Sequence, residues 1–268
     1  MSNFLLTQIN IYPVKSLPGI SLKESFVEER GLKYDRRWMI VNAENVFITQ
    51  RNFPNMVFIN IEIDGDNLVF THKKKNLEEL KIPISSSPKD EIKVHVWDDI
   101  CLANVYENKI NQWFSNAIES ECKLVYMPNS TERRTSTKYF PESKNVSFAD
   151  GYPFLIIGEE SLNYLNTKLK KPVSMNNFRP NLVFSGGIEH DEDSWKNIKI
   201  GEHKFSVVKP CARCVITTID SNGNKNKEPL STLSKYRNFN NKIMFGQNVI
   251  THTEGVIKIG DKIVLQDS

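Results

Sequence analysis

Apolar and polar residues alternate with a period of two over several short segments of the N-terminal half. This period is typical of half-buried β-strands, because successive side chains of a strand point to opposite faces. An Asp-Gly-Asp-Asn turn between two of these segments predicts a hairpin. The face expected for the first strand holds Leu5, Thr7, Ile9 and Ile11. Strands of this half are predicted over residues 5–11, 37–41, 57–63, 68–70 and 92–96.

The C-terminal half is expected to continue as short strands. The polar stretch 128–145 is a junction or a flexible loop over a site. Helical spacing of apolar residues predicts amphipathic helices over 110–118, 162–169 and 229–236. Strands are predicted over 122–127, 154–157 and 182–184, a hairpin over 198–208, a buried strand over 215–219 and a closing hairpin over 256–265. The pattern therefore predicts a β-rich α+β protein with few helices.

Composition narrows the function classes. Hydrophobic residues at 39% and charged residues at 25% are ordinary values for a globular protein. The net charge of +3, from 35 basic and 32 acidic residues, is too small to indicate a nucleic-acid partner, and the only compact basic run is 73–75. The sequence shows neither an apolar membrane span nor a signal peptide, so we expect no membrane partner and a cytoplasmic protein.

Two of the four cysteines, Cys211 and Cys214, flank Arg213 at the start of the predicted strand 215–219. A thiolate held on rigid backbone beside a positive charge suits the binding of a soft metal. One Cys-x-x-Cys also fits half of a zinc site, a redox dithiol or two packed core thiols. Zinc would need further ligands, and Cys101 and Cys122 lie on separate predicted elements. A redox dithiol normally opens a helix, whereas this pair enters a strand-forming run.

A second unusual segment is Asn177-Phe178-Arg179-Pro180-Asn181. The residue before a proline is extended, so this segment points amide and guanidinium donors outward at fixed spacing. Anion recognition requires donors of this kind. Taken alone, Lys15 in its turn is expected to be solvated, and the adjacent Asp35 and Arg36 are expected to form a structural ion-pair cluster.

Taken in order, eight short motifs resemble one family, the proteins with a molybdenum cofactor sulfurase C-terminal (MOSC) domain. The similarity is strongest to the branch with its own N-terminal β-barrel domain, which includes the mitochondrial amidoxime-reducing component and its bacterial counterparts. The motifs are Tyr12-Pro13-Val14-Lys15-Ser16, Asp35-Arg36-Arg37-Trp38, Phe148-Ala149-Asp150, Asn177-Phe178-Arg179-Pro180-Asn181, Cys211-Ala212-Arg213-Cys214 with Thr217-Thr218-Ile219-Asp220, Glu228-Pro229-Leu230, Tyr236-Arg237 and Phe245-Gly246-Gln247.

The resemblance implies an N-terminal β-barrel-like domain over 1–125, packed on a MOSC β-barrel domain over 126–268. It implies a bound molybdenum cofactor, Mo-molybdopterin, in the groove between them. Cys214 matches the cysteine that supplies the thiolate to molybdenum. Lys15, Ser16 and Arg36 match the residues that hold the pterin phosphate, and the further positions that line the cofactor are Asp150, Asn177, Arg179, Ala212 and Arg213.

The activity implied by the resemblance is reductive removal of oxygen, as water, from N-hydroxylated small molecules such as amidoximes and hydroxylamines. Cys214, Asp150 and Arg213 are the catalytic residues in that interpretation. Electrons would come from an external carrier such as a ferredoxin, a flavodoxin or a cytochrome b5-like protein with its reductase. The alternative is a cofactor carrier or sulfur-handling protein without its own turnover. Two departures from the family pattern, Ala212 and Asn248, bear on the substrate region.

Overall fold

The computed structural model describes residues 3–86 and 88–266, and strands dominate it. This confirms the β-rich α+β class predicted from the sequence. The helices are α1 (Asn108–Ile118), α2 (Glu159–Thr167) and α3 (Leu230–Leu233), with 3-10 helices at Pro54–Phe58, Met175–Asn177, Asp191–Asp193 and Val215–Thr218. The strands are β1 (Phe4–Ile11), β2 (Ile20–Leu22), β3 (Glu24–Glu28), β4 (Gly31–Leu32), β5 (Trp38–Val41), β6 (Ile59–Asp64), β7 (Asn67–His72), β8 (Leu80–Pro83), β9 (Asp90–Val96), β10 (Asp99–Val105), β11 (Lys123–Tyr126), β12 (Phe154–Gly158), β13 (Leu182–Ser185), β14 (Asn197–Ile200), β15 (His203–Ala212), β16 (Asn238–Phe239), β17 (Lys242–Thr251), β18 (Gly255–Lys258) and β19 (Lys262–Gln266).

Seven strands close a barrel in the order β12, β13, β1, β19, β14, β15, β17, because β17 pairs back onto β12. Closure leaves the barrel without an open edge. The interior is apolar, and the rings of Phe4, Phe184 and Trp195 meet edge-on or tilted at its centre. This barrel provides a rigid support for the loops at its ends.

The N-terminal half forms a sheet in the order β5, β11, β10, β9 and a second sheet of β6, β7 and β8. Helix α1 packs on β11, and its buried Phe114 meets Phe70 of β7 at a ring distance of 5.2 Å. The predicted hairpin is confirmed as β6 and β7, with Asp64 opposite Asn67. One apolar core is shared by both sheets and α1.

The two halves interleave along the chain. Strand β1 lies between β13 and β19 in the barrel, and β18 pairs with β3. The turn that follows β1 thus starts from the barrel wall and carries residues 13–17 into the crevice between the halves. No helix within 3–86 and 88–266 combines the length and apolar character that a membrane crossing requires.

Three expectations from the pattern are wrong in detail. The first strand does not keep one face, since a bulge between Leu6 and Gln8 shifts its register against β13. A bulge inserts one residue into the alternation, so Leu5 is exposed while Ile9 is buried. The closing hairpin does not form either, because β18 pairs with β3 whereas β19 pairs with β1 and β14.

The third error concerns the strand expected over 215–219, because Val215–Thr218 form a 3-10 turn instead. The hydroxyl of Thr217 donates to the carbonyl of Cys214 at 2.9 Å, and that of Thr218 donates to the carbonyl of Val215 at 2.8 Å. Threonine hydroxyls that bond back to the preceding turn compete with a strand ladder. Cys214 therefore lies at the start of a compact turn after β15.

The extended conformation expected before Pro180 is wrong at Arg179, whose φ is 55°. The remaining predictions need small adjustments. Helix α2 spans Glu159–Thr167 and so ends before Leu169, and α3 covers only Leu230–Leu233. The polar stretch 128–145 is anchored by the buried Arg133, whose guanidinium donates to the carbonyls of Ser147 and Ala149 at 2.7 and 2.6 Å.

Candidate functional site

The crevice between the two halves holds a cavity to which both contribute. Most of the residues singled out in the sequence meet there, although they are separated by up to two hundred positions along the chain. Seven of the nine positions that the resemblance assigns to the cofactor line it, namely Lys15, Ser16, Arg36, Asp150, Arg179, Arg213 and Cys214. The non-local pairing of β1 with the barrel makes this convergence possible.

The turn after β1 presents a buried cation. Lys15 is only 4% exposed, and its Nζ donates to Asp150 Oδ1 at 2.6 Å and to the Phe148 carbonyl at 2.7 Å. Burial lowers the pKa of Lys15, and the attraction of Asp150 opposes this shift. The solvated position expected for a turn lysine is therefore wrong. The turn itself is fixed by Gln50, whose side chain donates to the Ser16 carbonyl at 2.6 Å.

Two arginines from different halves enclose one tyrosine ring. The guanidinium carbons of Arg36 and Arg179 lie 4.5 and 4.2 Å from the ring centre of Tyr12. Arg36 pairs with the buried carboxylate of Asp35 and donates to Asn181 Oδ1 at 2.8 Å. The expected ion pair of Asp35 and Arg36 thus exists, and it also orients Arg36 into the cavity.

Burial changes the proton affinities of this cluster. It raises the pKa of Asp35, although Arg36 acts in the opposite direction, and it raises the pKa of Tyr12 to about 12. It lowers the pKa of Arg179 to about 10, a shift to which the charge of Arg36 also contributes. Arginine side chains carry a positive charge in proteins, so the cluster presents fixed positive charge to the cavity.

Three of the lining residues adopt backbone conformations that non-glycine residues rarely take. Ser16, Arg36 and Arg179 have φ angles of 66°, 49° and 55°. Such left-handed residues persist where the surrounding structure holds them, and they cluster at functional sites. Here each directs its side chain toward the same space.

The two thiols face different arginines. Arg213 Nη1 donates to the sulfur of Cys211 at 3.0 Å, whereas Arg51 Nη2 donates to the sulfur of Cys214 at 3.3 Å. Arg213 also donates to the Phe178 carbonyl at 2.6 Å, and its Nε is buried without a partner. Arg213 lines the cavity, and this buried donor has no partner among the described residues.

Arg51 and Trp97 are site residues that the sequence reasoning missed. The guanidinium of Arg51 stacks 4.7 Å from the ring of Trp97, and Trp97 Nε1 donates to Asp150 at 3.3 Å. Both come from loops of the N-terminal half, and Trp97 is 43% exposed at the mouth of the cavity. The sequence signal that could have indicated Trp97 is a tryptophan followed by two aspartates directly after the alternating segment 92–96.

The carboxylate of Asp150 is held as an anion. The surrounding protein alone would raise its pKa, but the attraction and hydrogen bond of Lys15 and the charges of Arg51 and Arg36 outweigh this and lower it. Its side chain is nevertheless 68% exposed toward the mouth. Solvent therefore screens part of its attraction to the surrounding cations.

Of three further residues named from the sequence, Asn177 and Ala212 lie outside the cavity lining and Asn248 belongs to it. Asn177 does not line the cavity with Cys214; it donates to the Thr217 carbonyl at 3.1 Å and closes a capping box with Ser174. It therefore fixes the turn that carries Cys214. Ala212 is exposed at the end of β15, opposite Met244. Asn248 lines the cavity and donates to the Lys209 carbonyl at 3.3 Å.

The donor set fits an anionic group that also carries a soft metal. Five cationic side chains line the cavity, whereas Asp150 is the only carboxylate among its lining residues. A phosphate selects Lys, Arg and hydroxyl donors, and molybdenum with sulfur ligands selects a soft thiolate. The five cations are Lys15, Arg36, Arg51, Arg179 and Arg213.

A zinc site needs further ligands and a redox dithiol needs a helix N-terminus, and the described residues provide neither at Cys211 and Cys214. Within 3–86 and 88–266, no three His, Cys, Asp or Glu side chains are grouped as a metal site would require. Cys101 and Cys122 are buried in other cores. Cys214 begins a four-residue 3-10 turn, which is too short to supply the helix dipole of a thioredoxin-like dithiol.

Comparison with known proteins identifies the family of the chain. Residues 3–121 match the model of the MOSC N-terminal beta barrel domain, and residues 143–264 match that of the MOSC domain. The chain is 33% identical to human mitochondrial amidoxime-reducing component 1 over 280 residues, which covers 97% of this chain and 82% of the relative.

Two further relatives extend the comparison. The chain is 34% identical to molybdenum cofactor sulfurase of Arabidopsis thaliana over 270 residues, covering 90% of this chain but 32% of that protein. The crystal structure of the YUAD protein from Bacillus subtilis covers 98% of this chain and 94% of its own at 11% identity and a TM-score of 0.44. That score is too low to support an argument about this protein.

Proposed function

Because the chain belongs to the MOSC family, in the branch that joins a MOSC N-terminal β-barrel domain to a MOSC domain, we propose that it is a molybdenum-cofactor-binding oxidoreductase. Its substrates would be N-hydroxylated small molecules, such as amidoximes and hydroxylamines. An external electron-transfer protein would supply the electrons. Residues of the cavity would hold the cofactor and orient the substrate.

One observation carries the proposal. A thiol from the barrel half, Cys214, and a phosphate-type donor set from the N-terminal half, Lys15, Ser16 and Arg36, line the same cavity. A ligand with a soft metal at one end and a phosphate at the other would satisfy both parts. The molybdenum cofactor, Mo-molybdopterin, has a metal and a phosphate in this arrangement.

When bound, the cofactor supplies the two-electron chemistry that converts an N-hydroxyl group, two protons and two electrons into an N–H group and water. Cys214 would be the protein ligand of molybdenum. Lys15, Ser16 and Arg36 would bind the phosphate, and Arg179 would balance the charge of the pterin tail. The guanidinium of Arg51 holds the sulfur of Cys214 from the opposite side of the crevice.

The lowered pKa of Asp150 refines its role. A carboxylate that stays ionised is a poor proton donor, so Asp150 would accept a hydrogen bond and orient the substrate at the mouth. Trp97 shares that carboxylate and offers an aromatic wall to a planar substrate. The unpaired Nε of Arg213 is a donor for an oxygen that leaves the substrate.

The test is to load the protein with cofactor and measure three quantities together. Molybdenum near one atom per chain, an oxidised pterin fluorophore on acid release, and benzamidoxime turnover with a reduced dye as donor are the expected results. Zinc in place of molybdenum, or no pterin, would overturn the assignment of the cofactor.

A second function is favoured by the similarity to the plant molybdenum cofactor sulfurase. In that case the protein would carry the cofactor or handle its sulfur without turnover. Molybdenum and pterin would then be present, but benzamidoxime would not be reduced. The comparison of metal content with dye-driven turnover separates the two functions.

A further inference from the structure

A large basic cleft adjoins the cofactor cavity. It has a volume of about 1100 Å³ and is formed by the turns around residues 168–177 and 216–235 together with the N-terminal half. Six lysines line it: Lys73, Lys168, Lys170, Lys171, Lys227 and Lys235. Lys73 belongs to the compact basic run of the sequence, which is thus part of a larger basic surface rather than an isolated solvated loop.

The charge of the cleft is unbalanced. The six lysines and Arg179 face two lining carboxylates, Asp220 and Glu228, a formal excess of five positive charges. The whole chain has a net charge of only +3. Outside the cleft the formal charges of the chain sum to a negative value, so positive charge is concentrated in the cleft and in the adjoining cofactor cavity.

The two lining carboxylates are engaged by local structure. Asp220 accepts hydrogen bonds from the backbone of Asn222 and Asn224, both at 2.9 Å, and Glu228 accepts one from the backbone of Thr232 at 2.9 Å. Among the described residues, none of the six lysines forms an ion pair with a carboxylate. Their charges are left to attract a partner.

The cleft and the cofactor cavity share a wall. Arg179 and Ile216 line both spaces, and Ile216 lies in the turn that begins at Cys214. A molecule seated in the cleft is therefore separated from the cavity by single side chains. Electrons that arrive in the cleft would enter the cofactor site over a short path.

The lysines are arranged for a protein rather than for a small anion. Lys168, Lys170, Lys171 and Lys227 are exposed, so their ammonium groups stand on flexible stems at the rim. A built anion site holds buried donors at fixed geometry, whereas mobile rim charges accelerate and orient the encounter of two proteins. Transient binding also suits a carrier that must deliver one electron, leave, and be replaced by another.

From these features, and resting on the proposed function, we propose that the basic cleft docks an acidic one-electron carrier protein that supplies the cofactor site. Two carriers would dock in succession for each N-hydroxyl group reduced. Binding would be electrostatic and would weaken as the ionic strength rises.

A charge-reversal variant tests the proposal by binding alone. Lys170→Glu, Lys171→Glu and Lys227→Glu, combined, change three exposed side chains of the cleft. The control combines Lys23→Glu, Lys258→Glu and Lys262→Glu, which are exposed outside the cleft lining and change the net charge equally. The probes are an acidic [2Fe–2S] ferredoxin and the acidic soluble domain of a cytochrome b5. The cleft variant is expected to weaken binding of at least one probe tenfold or more and to flatten its salt dependence, while the control changes it less than twofold.

Equal weakening in both variants, or no measurable binding of either probe to the wild type at low salt, would overturn the proposal. The competing interpretation is a site for a small anion. If millimolar inorganic phosphate displaces the probe at constant ionic strength, the cleft binds small anions and the docking proposal is wrong.

Turnover separates this proposal from the function on which it rests. With a reduced dye as donor, benzamidoxime reduction should be the same in the wild type and the cleft variant. With the reduced carrier protein as donor, the KM for the carrier should rise at least tenfold in the cleft variant. Absent turnover with the dye contradicts the proposed function, whereas unchanged carrier-driven kinetics contradict the docking site.

Discussion

Arg51 and Cys214, which are 163 residues apart in the chain, meet across the crevice at 3.3 Å between guanidinium Nη2 and Sγ. Stacking on Trp97 holds the guanidinium in place, and the Arg51 carbonyl accepts a hydrogen bond from Lys225 Nζ at 2.8 Å. The N-terminal half therefore holds the thiol on which the metal chemistry of the other half would depend.

Replacing Arg51 with alanine should reduce molybdenum binding. The variant loses a charge-assisted hydrogen bond to the sulfur and one cation of the cavity, a loss of roughly 1.5–3 kcal/mol. We expect the affinity for the cofactor to fall by about tenfold or more. Metal analysis after reconstitution at limiting cofactor measures this. Arg134→Ala, on a half-exposed surface arginine, is the matched control, and equal metal content in the two variants would contradict the role of Arg51.

Removing Arg36 should damage both folding and cofactor binding, because the guanidinium pairs with the fully buried carboxylate of Asp35. A buried carboxylate left without its partner costs about 3–5 kcal/mol. The double variant Asp35→Asn with Arg36→Ala should regain most of the free energy of unfolding, since an asparagine oxygen can still accept the Tyr12 amide. It should not regain the pterin. Denaturant unfolding and pterin fluorescence are measured on the same samples, and full pterin retention in the double variant would exclude a phosphate grip by Arg36.

Cofactor binding should raise the melting temperature. A ligand that contacts Lys15 of one half and Cys214 of the other binds only the folded state, and at a hundredfold excess over its dissociation constant it stabilises by about 2.7 kcal/mol. Calorimetry of loaded and cofactor-free protein measures the shift. The Lys15→Met variant should show a smaller shift than the wild type, and identical melting curves for loaded and free wild type would mean that the cofactor does not bridge the halves.

The fold could be predicted where the signal is local. Alternation located β6, β7 and β9, and helical spacing located α1. The closing hairpin was wrong because the partners of β18 and β19 are strands from the start of the chain, and apolar pattern alone does not identify a distant partner.

The site residues that belong to sequence motifs could be predicted, whereas those outside the motifs could not. Lys15, Arg36, Asp150 and Cys214 converge in the structure, and only the ordered motifs of the family resemblance placed them together in advance. Arg51 was missed because its function depends on a thiol 163 residues away. The segment 215–218 was expected to be a strand because all four of its residues are β-branched. The hydroxyls of Thr217 and Thr218 stabilise a turn instead.

The two buried thiols, Cys101 and Cys122, should make the stability of the protein depend on pH. Burial raises the pKa of Cys101 and of Cys122 to about 11 each. An unfolded cysteine loses its proton near pH 8.5. Between that pH and about 11 the unfolded state therefore binds fewer protons than the folded state, so the free energy of unfolding falls as the pH rises.

Measuring the free energy of unfolding between about pH 8.5 and 11 tests this expected decline. Cys101→Ala with Cys122→Ala should flatten the decline relative to the wild type. In the folded wild type at pH 8, iodoacetamide should modify Cys211 and Cys214, which are partly exposed, before the buried pair. Early modification of Cys101 would contradict its burial.

The two site thiols should differ sharply in their importance. Both thiols line the cavity, but the sulfur of Cys214 accepts a hydrogen bond from Arg51, whereas that of Cys211 accepts one from Arg213 Nη1. If Cys214 is the molybdenum ligand, Cys214→Ala should abolish oxygen removal and lower molybdenum retention, because the metal loses the soft thiolate that sets its coordination and potential. The pterin should be retained in part, since Lys15, Ser16 and Arg36 still hold its phosphate.

Cys211→Ala is the matched control for that variant. It should keep its molybdenum and most of its turnover, because Arg213 remains anchored on the Phe178 carbonyl at 2.6 Å when the sulfur is lost. A dithiol or a zinc site predicts instead that both substitutions are equally damaging. Metal content and dye-driven benzamidoxime reduction are measured for both variants, and an equal loss in the two would contradict the assignment of Cys214 as the single protein ligand.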